Sequence, residues 1–236
     1  MKIKAVLFDL DGTLLPLDQD FFIKTYLTKL CIKMASHGYD PSQLSKSIWA
    51  GTEAMIRNDG HQTNEAAFWA SFTSIYGENA RDDEPMFDSF YRNEFGTVQS
   101  VCGYTEHSAQ LVHRLQELGI TVILATNPVF PAIATNQRIA WAGLTPEDFA
   151  LVTTYENSSY CKPNPKYYQA ILDQFGLTPQ ECLMVGNDVS DDMSAAKLGM
   201  QVFLLTDCLI NAYNLDIAPY PQGSFAELNA YIDANL

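Results

Sequence analysis

The sequence predicts an α/β fold: a parallel β-sheet covered by helices, with a wholly helical segment inserted after the first strand. Three observations predict it. Short, unbroken apolar runs bounded by turn residues recur along the chain, the pattern of strands buried on both faces. Helical patterns alternate with these runs, as successive βαβ units require. Residues 16–97 break the alternation and show helical periodicity with no convincing strand.

The first strand falls at 3–8. Four helical patterns follow in the insertion. They are carried by Phe22, Tyr26, Leu27, Leu30 and Met34, by Leu44, Ile48 and Met55, by Phe68, Phe72 and Ile75, and by Phe87, Phe90, Tyr91 and Phe95. Spacings of three and four residues give each a single apolar face, so these aromatics read as the core of a small bundle rather than as a ligand-stacking surface. A helix over 105–118 places Leu111, Val112, Leu115 and Leu118 together and ends at Gly119. Strands at 120–125, 150–152, 182–185 and 202–205 complete the sheet. Between them lie helices at 132–141 after Pro131, at 166–175 between Pro165 and Gly176, and at 190–198 before Gly199. The tail from Thr206 is irregular until a helix from Phe225, where Ser224 and Glu227 have capping-box spacing. The division is therefore 1–15 with 98–236 for the sheet and 16–97 for the helical unit.

Bulk composition bounds the function. With 236 residues and 47% apolar content the chain can bury a substantial core. The apolar run before Asp9 lasts about four residues, short of the roughly 7–15 of a signal-peptide core. No window approaches the roughly 20 apolar residues of a membrane span. Five cysteines, at 31, 102, 161, 182 and 208, include no CxxC pair, which argues against a disulfide framework and a zinc cluster and fits a reducing cytoplasm. The net charge of −14 sets the average surface against nucleic acid and anionic lipid. An anionic substrate then needs a metal or a few placed cations.

Residues 6–15 read VLFDLDGTLL, and they embed Asp9 and Asp11 among strand-like apolar residues. Unpaired buried charge costs several kcal/mol, so this pair needs a neutralising partner. Thr126 and Asn127 end the second strand, Lys162 follows the third, and Asn187, Asp188, Asp191 and Asp192 follow the fourth. All four groups fall at carboxyl ends of strands, the edge along which open parallel sheets bind ligands. Each has a plainer reading taken singly. The DxDG run also begins some calcium loops, although Gly12 stands fourth rather than sixth. Thr126-Asn127 could be a turn and helix cap, Lys162 a solvated surface lysine, and the acids of GNDVSDD partners of a helix dipole. Coincidence at four strand ends in turn points instead to one pocket.

DLDGTL at 9–14, Thr126 in ILATN, Lys162 in CKPNP and GNDVSDD at 186–192 resemble, in order, the four sequence motifs of the haloacid dehalogenase superfamily of phosphohydrolases. The resemblance covers nearly the whole chain, and the insertion resembles that family's cap domain of the first type. It implies a Rossmann-like core, a Mg²⁺ ion and a phosphoaspartyl intermediate, with Asp9 as nucleophile and Asp11 as general acid and base. It assigns the metal to Asp9, the backbone carbonyl of Asp11, Asp188 and Asp192, and the phosphate to Thr126, Asn127 and Lys162. Family members commonly carry Gly-Asp where this chain has Gly186-Asn187. The acidic ligand then moves to Asp188, with Asp192 second and Asp191 a substitute.

The expected function is Mg²⁺-dependent hydrolysis of a small phosphorylated metabolite. A phosphomutase would use the same residues. A dehalogenase of this family lacks the second aspartate, so Asp11 argues against it, and the intact motif residues argue against a non-catalytic binding module. Arg57, Asn58 and His61 in RNDGHQTN are candidates for the pocket mouth, with a solvated loop as the simpler reading.

Overall fold

A computed structural model describes residues 2–235. Its six strands, β1 (Ala5–Phe8), β2 (Thr121–Leu124), β3 (Leu151–Val152), β4 (Cys182–Gly186), β5 (Gln201–Leu205) and β6 (Gln222–Gly223), form one parallel sheet in the order β3-β2-β1-β4-β5-β6. The chain builds outward from β1 to β3 on one side and from β4 to β6 on the other. The topological switch point, where such sheets hold ligands, therefore lies between β1 and β4. Register sets the height of the residues just beyond the strands. Phe8 pairs with Leu124 and with Val185, so Asp9, Ala125 and Gly186 leave the sheet level with one another.

Side-chain alternation along the strands supplies two cores. Val6, Phe8, Val122, Leu124, Leu183 and Val185 face one side, against α5 (Glu106–Glu117), α6 (Ala132–Trp141) and α8 (Phe225–Asn235). Ala5, Leu7, Ile123, Cys182 and Met184 face the other, against α7 (Pro165–Phe175). Both faces are covered, which is why the strands read as continuous apolar runs.

The insertion folds as α1 (Gln19–Ala35), α2 (Pro41–Ile56), α3 (Asn64–Tyr76) and α4 (Glu84–Asn93). Asp18, Asp40 and Thr63 cap the first three by accepting from backbone N–H groups of the first turn. Aromatic edges and faces fill the bundle: Phe72 packs against Tyr39, Phe68, Trp69, Tyr76 and Phe87.

Two expectations are corrected. The segment over 190–198 is a short 3₁₀ helix, Met193–Leu198, because the Asp188 carboxylate captures the N–H groups of Ser190 and Asp191 and holds the preceding residues in a turn. The tail contributes β6, two residues too short to show a period. A 3₁₀ segment, Phe95–Val101, runs across the expected boundary at 97/98.

Asn64 fastens the insertion to the sheet loops. It is fully buried at the start of α3, its N–H donates to Ser158 O (2.8 Å), and its side chain donates to Pro128 O (3.1 Å) and accepts from Asn58 (2.9 Å). Truncation keeps the backbone bond to Ser158 but takes the side-chain partner from the Pro128 carbonyl and the Asn58 amide, each worth roughly 1–3 kcal/mol. Asn64→Ala is expected to lower unfolding stability by about that amount in urea melts. A loss below about 0.5 kcal/mol, the range of ordinary surface changes, would show that the tie is not made in solution.

Candidate active site

The turn after β1 is built to bring two acids to the switch point. Asp9 N–H continues the ladder to Val185 O (2.9 Å), and bonds from Thr13 and Leu15 to Leu10 O then fold the chain back. Gly12 has φ of 84°, and a Cβ there would overlap the Asn187 side chain. Asn187, 1% exposed, accepts from the Thr13 hydroxyl (3.0 Å) and donates to Cys208 O (2.7 Å). It is thus a strut between loops, which accounts for an amide at this position. Gly186 leaves room for the Asp192 carboxylate, which would collide with any Cβ there.

Asp9, Asp11, Thr126, Asn127, Lys162, Asp188, Asp191 and Asp192 all line one cavity of about 110 Å³. The structure therefore brings every candidate residue of the four motifs together. Lys162, 1% exposed at its side chain, donates to Asp9 Oδ1 (2.8 Å) and Asp192 Oδ1 (2.6 Å). Burial alone would lower this ammonium; the charges of Asp192 and Asp9 outweigh it and hold Lys162 well above the usual range. Asp192 Oδ2 accepts from Asp188 N–H (2.9 Å), so both its oxygens are engaged by the chain itself. Asn127 joins three loops through its side chain: Oδ1 accepts from Lys162 N–H (3.2 Å) and Nδ2 donates to Asp191 Oδ2 (3.1 Å). Tyr167 donates to Thr126 O (3.0 Å) and Tyr168 to Asp191 O (2.9 Å), so adjacent residues of α7 pin two of these loops.

Arg138 is the group that sequence reasoning missed. Its guanidinium, 1% exposed, pairs with Asp11 Oδ2 and stacks over Phe130, with 4.3 Å from Cζ to the ring centroid. The available signal was its place on the buried face of α6 beside Ala134, Thr135 and Ile139. Burial pushes the Asp11 carboxyl up to about 6; Arg138 opposes the rise and Asp9 adds to it. Burial and the Asp188 charge push Asp191 up to about 6 as well.

Five aspartates against Lys162 and Arg138 leave a formal excess of three negative charges around one crevice. Asp11 Oδ1 is buried with no hydrogen-bond partner, and among the described residues none engages Asp9 Oδ2, Asp188 Oδ2 or Asp191 Oδ1. Uncommitted hard oxygens with excess negative charge fit a divalent cation such as Mg²⁺. The side chains are not drawn together around one: among the described residues no three His, Cys, Asp or Glu form a metal-holding group.

Arg57 and His61 are exposed, and Asn58 is buried against Gln62 and Asn64, so none of the three lines the cavity. The insertion reaches it instead through Gln19, Phe22 and Ile23 of α1. A second, apolar chamber of about 90 Å³ adjoins the first and shares Ile23, Val129 and Phe130 with it.

A sheet switch point holding this set of residues under a helical insertion defines a known class. The family model for haloacid dehalogenase-like hydrolases matches residues 3–199, and the chain belongs to that family of hydrolases. It is 28% identical over 213 residues to the N-acetylmuramic acid 6-phosphate phosphatase of Pseudomonas aeruginosa, covering 84% of this chain and 80% of that one. The fold is shared with a HAD phosphatase from Thermococcus onnurineus (TM-score 0.61, 20% identity, 98% of each chain). It is also shared with the HAD-hydrolase YfnB of Bacillus subtilis, solved bound to magnesium (TM-score 0.59, 16% identity, 99% of this chain and 100% of that one). Among the described residues no helix is long and apolar enough to cross a membrane.

The raised carboxyls make stability depend on pH. Asp11 and Asp191 bind protons more tightly folded, at about 6, than at their ordinary 3.8. Their stabilising contribution is complete below about 3.8 and is lost as pH rises through about 6. In excess chelator, unfolding free energy should fall by on the order of a few kcal/mol between about pH 4 and pH 7. Mg²⁺ should restore more stability at the upper end of that window than at the lower. Denaturant melts across the range check this, and stability that rises with pH in chelator would contradict it.

Proposed function

We propose that the protein is a divalent-cation-dependent phosphatase of small phosphate monoesters, working through a phosphoaspartyl intermediate on Asp9. The observation that carries this reading is the convergence of Lys162 on Asp9 inside the one cavity that Asp11, Thr126 and Asp188 also line. The similarity to the Pseudomonas enzyme, a sugar-phosphate phosphatase, supports the reaction class. Residues 16–97 act as the cap over a core of 1–15 and 98–236, and α1 closes the cavity with Gln19, Phe22 and Ile23.

Asp9, the Asp11 carbonyl and Asp188 would hold Mg²⁺, with Asp192 and Asp191 behind them. When bound, the ion supplies charge neutralisation between an anionic nucleophile and an anionic phosphate. The chain's own residues supply the remainder. Lys162 donates to Asp9 Oδ1 and so orients the carboxylate for attack on phosphorus. The same ammonium, with the Thr126 hydroxyl and Asn127 N–H, stabilises the phosphoryl oxygens. Asp11 protonates the leaving oxygen and then takes a proton from the hydrolytic water. Its carboxyl, held near 6 by burial against the pull of Arg138, exchanges a proton readily at neutral pH. Enclosure by the cap keeps bulk water and macromolecules from the reacting centre.

Hydrolysis of p-nitrophenyl phosphate should require Mg²⁺ and vanish in excess chelator, and Asp9→Asn should remove it. Because Asp192 is already committed to Lys162 and to Asp188 N–H, Asp188→Asn should weaken Mg²⁺ binding in calorimetric titration more than Asp192→Asn does. Full turnover in excess chelator, or undiminished turnover by Asp9→Asn, would remove the basis for this reading.

A further inference from the structure

We propose that the ester accepted at this site carries a short apolar alkyl group, seated in the chamber that adjoins the catalytic cavity. The proposal rests on the phosphatase reading and names its substrate class.

The chamber lies among α1 to α4 and the loops after β2 and β3, and no charged side chain lines it. Its shared wall of Ile23, Val129 and Phe130 places it beside the site where phosphate would sit. On this proposal a group leaving from that phosphate passes these three residues into it. Three of its hydroxyls are spent within the chain. Tyr26 and Tyr91 hydroxyls bond together (2.8 Å), and the Thr52 hydroxyl bonds back to Ile48 O (2.9 Å). Trp69 Nε1 stands beside Tyr155 without a hydrogen bond of normal geometry. A polyol entering this space would give up water at each hydroxyl and find few partners, Trp69 Nε1 and the Tyr155 hydroxyl among them, a net loss for every group left unmatched. A second phosphate would meet no cation. Hydrocarbon suffers neither cost. At about 90 Å³ the space is smaller than the about 150 Å³ cavity that accommodates benzene, so a chain of a few carbons fits better than a ring.

The test is kcat/KM in saturating Mg²⁺ for methyl to hexyl phosphate, with glycerol 1-phosphate as the hydroxylated match of propyl phosphate. Each methylene should raise kcat/KM about fourfold, the gain of burying one CH₂, until the chamber is full and the series levels. Propyl phosphate should exceed glycerol 1-phosphate at least tenfold. Trp49, half exposed, lines one wall; Trp49→Ala should move the plateau to longer chains, whereas Thr52→Leu should move it to shorter ones. A flat series, or glycerol 1-phosphate equal to propyl phosphate, overturns the proposal while leaving the phosphatase reading intact. Failure to hydrolyse any ester, p-nitrophenyl phosphate included, overturns both.

Discussion

Everything at the centre of this protein depends on concentrating carboxylates where a sheet cannot shed them. Asp9 leaves β1 with its N–H still in the ladder, and Asp192 fills the space that Gly186 vacates beside β4. Lys162 resolves part of the repulsion by bridging the two, and Arg138 does the same for Asp11. Removing one partner from a buried pair is far more costly than the pair is worth in net stability, so these contacts specify geometry more than they strengthen the fold. The charge left over suits the crevice to the divalent cation proposed for it.

The rest of the molecule serves this arrangement. Two apolar faces hold the sheet rigid, so that residues separated by more than a hundred positions in sequence, such as Asp9 and Lys162, meet at 2.8 Å. The loops that carry them are cross-tied by Asn127, Asn187, Tyr167 and Tyr168 rather than left to solvent. The helical insertion, anchored through Asn64, covers the crevice with α1 and lines the adjoining chamber with aromatic and aliphatic side chains.

Much of this was legible in the chain. The strands betray themselves because both their faces are buried, and the four polar groups because each interrupts apolar sequence at a strand end. Helical periodicity located α1 to α4 because each buries one stripe. What sequence did not disclose depends on space or on single contacts. Arg138 is one cation on an apolar face, and only the fold shows that Asp11 lies opposite. The 3₁₀ turn after β4 arises from one carboxylate capturing backbone N–H groups, which no periodicity encodes. The apolar chamber is a volume between helices, so it has no sequence signature at all. Asn187 shows the converse case: in sequence its amide reads as a missing ligand, and the structure supplies its positive use as a strut.

We propose a division of labour between Asp9, oriented by Lys162 for attack, and Asp11, whose partner Arg138 and buried setting suit it to proton transfer. Intact-mass measurement after incubation with an aryl phosphate and Mg²⁺ tests that division most directly. An aryl leaving group needs little acid assistance, whereas hydrolysis of the intermediate needs the base, and such assistance is worth about 10²–10⁴-fold. Asp11→Asn should therefore accumulate the mass of one phosphoryl group, and the variant carrying both Asp9→Asn and Asp11→Asn should accumulate none. A phosphoryl group retained by the double variant would show that the nucleophile is a residue other than Asp9.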